Sequence, residues 1–211
     1  AGGTMVVSDN AISLLAIHQG GVRLEGTRGS CAYTDNTIRA DDPDRVLSPK
    51  LHLDCFGPSP GSSPTFVITG NELVTTGGIE ASITIEGALI DTVTVEDNRF
   101  ETNSAVEVLQ NSTTVSFSRN DVETTPGRVF LVGGAGSSFT VADNTVMQHS
   151  PVTGLEIRSV STASVTGNTF TGVGTPTFIA TALSLFTLGR HMTIAVSGNT
   201  FSGYERALSI R

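Results

Sequence analysis

Apolar and polar positions along this 211-residue chain repeat in one frame: apolar, any residue, apolar, two residues, Asn, any residue, apolar. Eight segments follow it. They read Met5-Val7-Asn10-Ile12, Cys31-Tyr33-Asn36-Ile38, Phe66-Ile68-Asn71-Leu73 and Val93-Val95-Asn98-Phe100 in the first half. Val115-Phe117-Asn120-Val122, Phe139-Val141-Asn144-Val146, Ala163-Val165-Asn168-Phe170 and Ile194-Val196-Asn199-Phe201 complete the series. Successive Asn residues lie 26, 35, 27, 22, 24, 24 and 31 positions apart. The shortest interval reads as one structural unit, and the longer ones as the same unit with inserted loops. A two-residue period is that of a strand, whose alternate side chains share a face.

A further strand recurs between the Asn segments. Its inward pairs are Val22/Leu24, Leu51/Leu53, Ile83/Ile85, Val106/Val108, Val129/Leu131, Leu155/Ile157, Leu183/Leu185 and Leu208/Ile210. One such unit cannot bury its apolar face alone, so the units must stack, about 4.8 Å apart, around a shared interior. The Asn is expected at a sharp bend, in a left-handed backbone conformation that Asn tolerates, with its amide bridging to the Asn of the next unit. A β-sandwich is the alternative, but it needs turns every 8–12 residues without a repeated Asn frame.

Written out, Val93-Thr94-Val95-Glu96-Asp97-Asn98-Arg99-Phe100 resembles the repeat of the right-handed parallel β-helix of the pectate-lyase-like superfamily. The resemblance implies an all-β solenoid of about eight coils with an Asn ladder. One domain is expected over residues 1–211, as a segment of a longer solenoid, with loop insertions near 39–50, 57–64 and 173–181. It implies no single activity, because that superfamily holds lyases, glycoside hydrolases, epimerases, phage tailspikes and adhesins. A polygalacturonase-like member would carry Asn-Thr-Asp, paired Asp, Gly-His-Gly and Arg-Ile-Lys. Here Asp41-Asp42 falls before Pro43, His18 is followed by Gln19-Gly20, and Glu156-Ile157-Arg158 is no match for Arg-Ile-Lys.

Charge narrows the partners. With 12 basic against 20 acidic residues, the formal net charge is −8. Nucleic-acid backbones and anionic membranes are therefore not expected as partners, and no stretch is apolar enough for membrane insertion. Glycans or cell-surface polymers, and self-association, remain. Few lysines and abundant Ser, Thr and Asn favour a secreted or cell-surface location. Cys31 and Cys55 both have inward parity, and could be two buried thiols or a disulfide.

Chemistry is expected on outward side chains of the further strand. Glu25, Asp54 and Glu86 should stack in register, with Arg23 and His52 beside them. In-register carboxylates lie about 5 Å apart and outer ones about 9.5 Å apart, within the ranges glycosidases use. These five residues are the catalytic candidates, though the same stack can be a solvated acidic face. No cofactor is required. Calcium is the one candidate ion, with Asp41, Asp42, Asp44 and Asp54 as ligands. Leu109, Phe130, Val132 and Phe186 form a candidate apolar contact patch, which a partner, self-association or a loop over Val173 to Ala180 would cover. The reading that follows is a non-catalytic extracellular module with a structural, adhesive or glycan-contacting role. The alternatives are a polysaccharide lyase or glycoside hydrolase, and a subunit of an oligomeric fibre or spike.

Overall fold

A computed structural model describes residues 3–15, 21–26, 29–44, 49–57, 63–78, 81–110, 114–125, 127–134, 136–150, 152–173, 180–186 and 192–211. All 24 elements among them are strands. They fall into three parallel sheets of eight, and each strand pairs with its counterpart one coil away. Sheet 1 runs from Gly3–Ser8 to Thr193–Ser197 and holds the apolar pair before each Asn. Sheet 2 holds the short strands after each Asn, from Ala11–Leu15 to Thr200–Ser202. Sheet 3 holds the further strands: Gly21–Gly26, Lys50–Phe56, Ser82–Ala88, Val106–Gln110, Val129–Val132, Leu155–Arg158, Thr181–Phe186 and Arg206–Ile210. Coil 4 shows the unit at its plainest, as Thr92–Glu96, Arg99–Thr102 and Val106–Gln110.

The alternation works as its period requires. Val93, Val95, Val106 and Val108 are fully buried, and Phe100 is nearly so. Their counterparts above and below join one core cluster. In coil 8, the last described, Leu208 and Ile210 share the inward parity and are exposed. Strand bounds depart from expectation at one insertion. Arg39 to Asp41 continue a strand of sheet 2 because Ala40 still faces inward, and Lys50 already opens a strand of sheet 3.

The Asn ladder is continuous. The Asn98 amide donates to Asn120 Oδ1 at 3.0 Å and to Ile68 O at 2.9 Å. Its Oδ1 accepts from the Asn71 backbone N–H and side-chain Nδ2, each at 3.0 Å. The same amide-to-amide bond joins Asn10, Asn36, Asn71, Asn98, Asn120, Asn144, Asn168 and Asn199 in order. Asn36 through Asn168 are almost wholly buried, so every polar atom at the bend needs these partners.

The left-handed residue is not the Asn but the one before it. Asp9, Asp35, Gly70, Asp97, Arg119, Asp143, Gly167 and Gly198 all have φ between 53° and 70°. The Asn must point its amide inward to stack, so the chain reverses one residue earlier, at a solvent-facing position. Asp and Gly tolerate that conformation. Arg119 does not by nature, and there the Asp97 and Glu96 carboxylates of the preceding coil hold it, each at 2.8 Å.

Cys31 and Cys55 form a disulfide across the interior of coil 2, linking sheet 1 to sheet 3 with Cα atoms 6.0 Å apart. Gly26 stacks above Cys55, and a Cβ there would lie 2.3 Å from the Cys31 sulfur. The bridge therefore needs glycine at that position. A second buried polar column, not anticipated, lies where sheet 2 turns toward sheet 3: Thr75, Thr102, Thr124 and Gln148. Thr75 donates to Thr102 at 2.8 Å, and Thr102 to Ala81 O at 2.7 Å. Each residue stands four positions after a ladder Asn, which was the signal available in the sequence.

Candidate functional site

The outward side chains of sheet 3 form two columns. The first reads Arg23, His52, Thr84, Glu107, Phe130, Glu156, Ser184, Ser209; the second opens Glu25, Asp54, Glu86, Leu109, Val132, Arg158, Phe186. Parallel in-register pairing enforces this order, because each strand repeats the parity of the last.

Glu25, Asp54 and Glu86 are stacked as expected, and cations interleave with them. The Arg23 guanidinium donates to Asp54 at 2.9 Å and lies 3.5 Å from Glu25. The Asp54 hydrogen bond, then the Glu25 charge, hold Arg23 above its ordinary pKa. His52 Nε2 lies 3.5 Å from Glu86 without making a hydrogen bond. Beneath them the buried Tyr33 hydroxyl shares its hydrogen between Leu24 O and Asp54 O, at 3.0 and 3.2 Å. Burial, reinforced by the Asp54 and Glu25 charges, pushes the Tyr33 phenol well above its usual range.

The calcium candidates do not form a cage. Asp41 ends a strand of sheet 2 and accepts from the Thr76 hydroxyl at 2.9 Å. Asp42 is buried and accepts from the Asp44 backbone N–H at 3.0 Å, while Asp54 stands on sheet 3. Asp41 and Asp54 stand on strands of different sheets, Asp42 and Asp44 lie just after the Asp41 strand, and among the described residues no group of three or more His, Cys, Asp or Glu is placed to hold a metal ion. His149 pairs with Glu123 at 2.8 Å on sheet 2. His18, His191 and residues 174–179 of the proposed covering loop lie outside the described residues.

The apolar patch is brought together, but with charge in it. Leu109 and Val132 are register neighbours, and Phe130 stands in the adjoining column. Arg158 sits between Val132 and Phe186, its guanidinium 4.8 Å from the Phe130 ring and 5.3 Å from Phe186. Arg128 approaches Phe130 at 4.9 Å. Glu156 is buried between the two arginines, 2.7 Å from Arg128 and hydrogen-bonded by Arg158. The patch is thus an aromatic and guanidinium cluster, held by cation–π contacts and a paired carboxylate. Parity places Glu156 and Arg158 on this face, but stacking of Arg158 on two rings depends on coil-to-coil contacts.

A family model described as a right-handed β-helix region matches residues 59–201. The chain belongs to that family. Membership agrees with three parallel sheets and an Asn ladder, and with the pectate-lyase-like resemblance at the level of fold. Arg23, Glu25, His52 and Asp54 precede the stretch of β-helix that the family model covers. Comparison with curated proteins and with solved structures gives no match.

Proposed function

We propose that this β-helix is a non-catalytic module of a secreted or cell-surface protein, and that it works by contact through the outer face of sheet 3. The observation that carries the reading is Arg23 lying between Glu25 and Asp54. Glycoside hydrolysis needs two carboxyls free to flank the scissile bond. Here the Arg23 guanidinium engages both neighbouring carboxylates, 2.9 Å from Asp54 and 3.5 Å from Glu25, and fills the place a glycosidic oxygen would take between them. The face instead offers charge, hydroxyls and rings along a rigid support, which suits recognition. A buried disulfide is in keeping with an oxidising compartment.

The test is direct. The chain is incubated with a panel of neutral and uronate polysaccharides, while reducing ends and unsaturated products are followed, and its retention on the same glycans and on cell-surface material is measured. Contact without product is expected. Product release that Asp54→Asn abolishes would overturn the proposal in favour of a polysaccharide lyase or hydrolase.

A further inference from the structure

We propose that the partner of the sheet 3 face is a second copy of the same chain, packed face to face about a two-fold axis parallel to the strands. The proposal rests on the reading of this face as a contact surface and names what it contacts.

The argument begins with charge. On the outward positions of coils 1–4 the carboxylates of Glu25, Asp54, Glu86 and Glu107 outnumber the cations Arg23 and Lys50. On coils 5–8 the order reverses, with Arg128, Arg158 and Arg211 against Glu156. One face of an acidic protein therefore carries an acidic half and a basic half of opposite excess. The acidic half also keeps groups without strong partners. Glu86 receives no hydrogen bond, and Glu107 makes no ion pair, among the described residues.

Geometry supplies the pairing. The charge excess changes sign between Val106–Gln110 and Val129–Val132, where Leu109 and Val132 are register neighbours. A two-fold axis there, parallel to the strands, inverts the coil order of one copy over the other and keeps each column facing itself. Leu109 then meets Val132 at the centre. Glu86 meets Arg158, whose guanidinium the two phenylalanine rings already position. Glu25 meets the position of Arg211, and Asp54 lies over Phe186. No opposition in the second column joins like charges. In the first column Glu107 meets Phe130, whose ring Arg128 and Arg158 approach, so complementary charge surrounds the Leu109–Val132 contact, as in a specific interface.

Size sets the strength. Seven steps of about 4.8 Å and four residues of about 3.3 Å make a face about 34 Å by 13 Å. Two such faces bury on the order of 900 Å², at the weak end of specific interfaces. The dimer should be in the micromolar range or weaker, and salt-sensitive.

Sedimentation equilibrium of the full chain, from low micromolar to millimolar and at low and high salt, measures it. A monomer–dimer equilibrium that salt weakens is expected. Glu86→Arg places like charges across both symmetry-related contacts and should weaken it at least about tenfold. Arg158→Glu should do the same, and the double reversal should recover affinity to within about threefold. If Arg158→Glu does not fold, mixed single-cysteine variants Leu109→Cys and Val132→Cys carry the test, because oxidation should link one to the other in preference to like with like. A monomer at every concentration in low salt, or association indifferent to Glu86→Arg, overturns the proposal. A chain that stays monomeric while Glu86→Arg abolishes glycan retention overturns the second copy and leaves the contact face intact.

Discussion

The outer faces of sheets 1 and 3 are built over the same core and have little else in common. In the eight strands of sheet 1 the only charged side chain is Glu96. One of its columns is Ser or Thr throughout: Thr4, Ser30, Thr65, Thr92, Thr114, Ser138, Thr162 and Thr193. Hydroxyl and β-branched side chains suit a pleated surface, so strand formation accounts for that face. Sheet 3 departs from this default at most outward positions, with carboxylates, guanidiniums and rings in an order that folding does not require. Inward positions are constrained identically in both sheets. Outward composition beyond β propensity is therefore the basis on which the contact role is proposed.

The strongest way to break the comparison removes the support common to both faces. Asn98→Ala deletes an amide that serves Asn71, Asn120 and Ile68 O. Several buried backbone and amide groups lose partners at about 1–3 kcal/mol each, so a loss of about 4 kcal/mol in urea denaturation is expected, with both faces disrupted. A loss below about 1 kcal/mol would mean that the ladder is dispensable. Next comes the disulfide, which ties sheet 1 to the acidic half of sheet 3 in coil 2. Reduction, or paired Cys31→Ser and Cys55→Ser, opens a loop of sequence separation 24 and should cost about 3 kcal/mol. Hydrogen exchange should show coils 1–3 loosened and coils 5–7 unchanged.

A smaller effect isolates the one charged island of sheet 1. Hydrogen bonds from Ser116 first, and also from Arg119, hold the Glu96 carboxyl below its usual range, and Arg119 holds Asp97 down likewise. Carboxyls depressed in the folded state contribute stability that is present above their unfolded pKa, near 4. That stability is lost as pH falls through the folded values. Arg119→Gln should therefore flatten the decline of the thermal midpoint below about pH 5 relative to the parent chain. An unchanged acid limb would dissociate the ion pairs from stability. The smallest effect sharpens the contrast itself. Thr94→Val on sheet 1 and Glu86→Arg on sheet 3 should each change stability by less than about 0.5 kcal/mol. Only the second should alter association.

Much of the site was legible in the sequence. Because parallel strands repeat one parity, the alternation fixed which residues stack: Glu25 on Asp54 on Glu86, and Leu109 on Val132. The Asn frame locates the bend, but the left-handed residue is the Asp, Gly or, once, Arg before the Asn, because the Asn must turn its amide inward to stack. Asp41 and Asp54, close to one insertion in sequence, are carried to different sheets, a separation that sequence order does not show.

Periodicity alone determined the coil, the interior, the ladder and the outward columns, because two-residue alternation and coil stacking leave each side chain only one face to occupy. Tertiary structure decided what neighbours on different strands do with one another. It placed Arg23 between two carboxylates, spread Arg158 over two rings, let Cys31 reach Cys55 and made Arg119 adopt the left-handed turn. Those outcomes depend on the reach and rotamers of side chains dozens of residues apart, which sequence order does not encode.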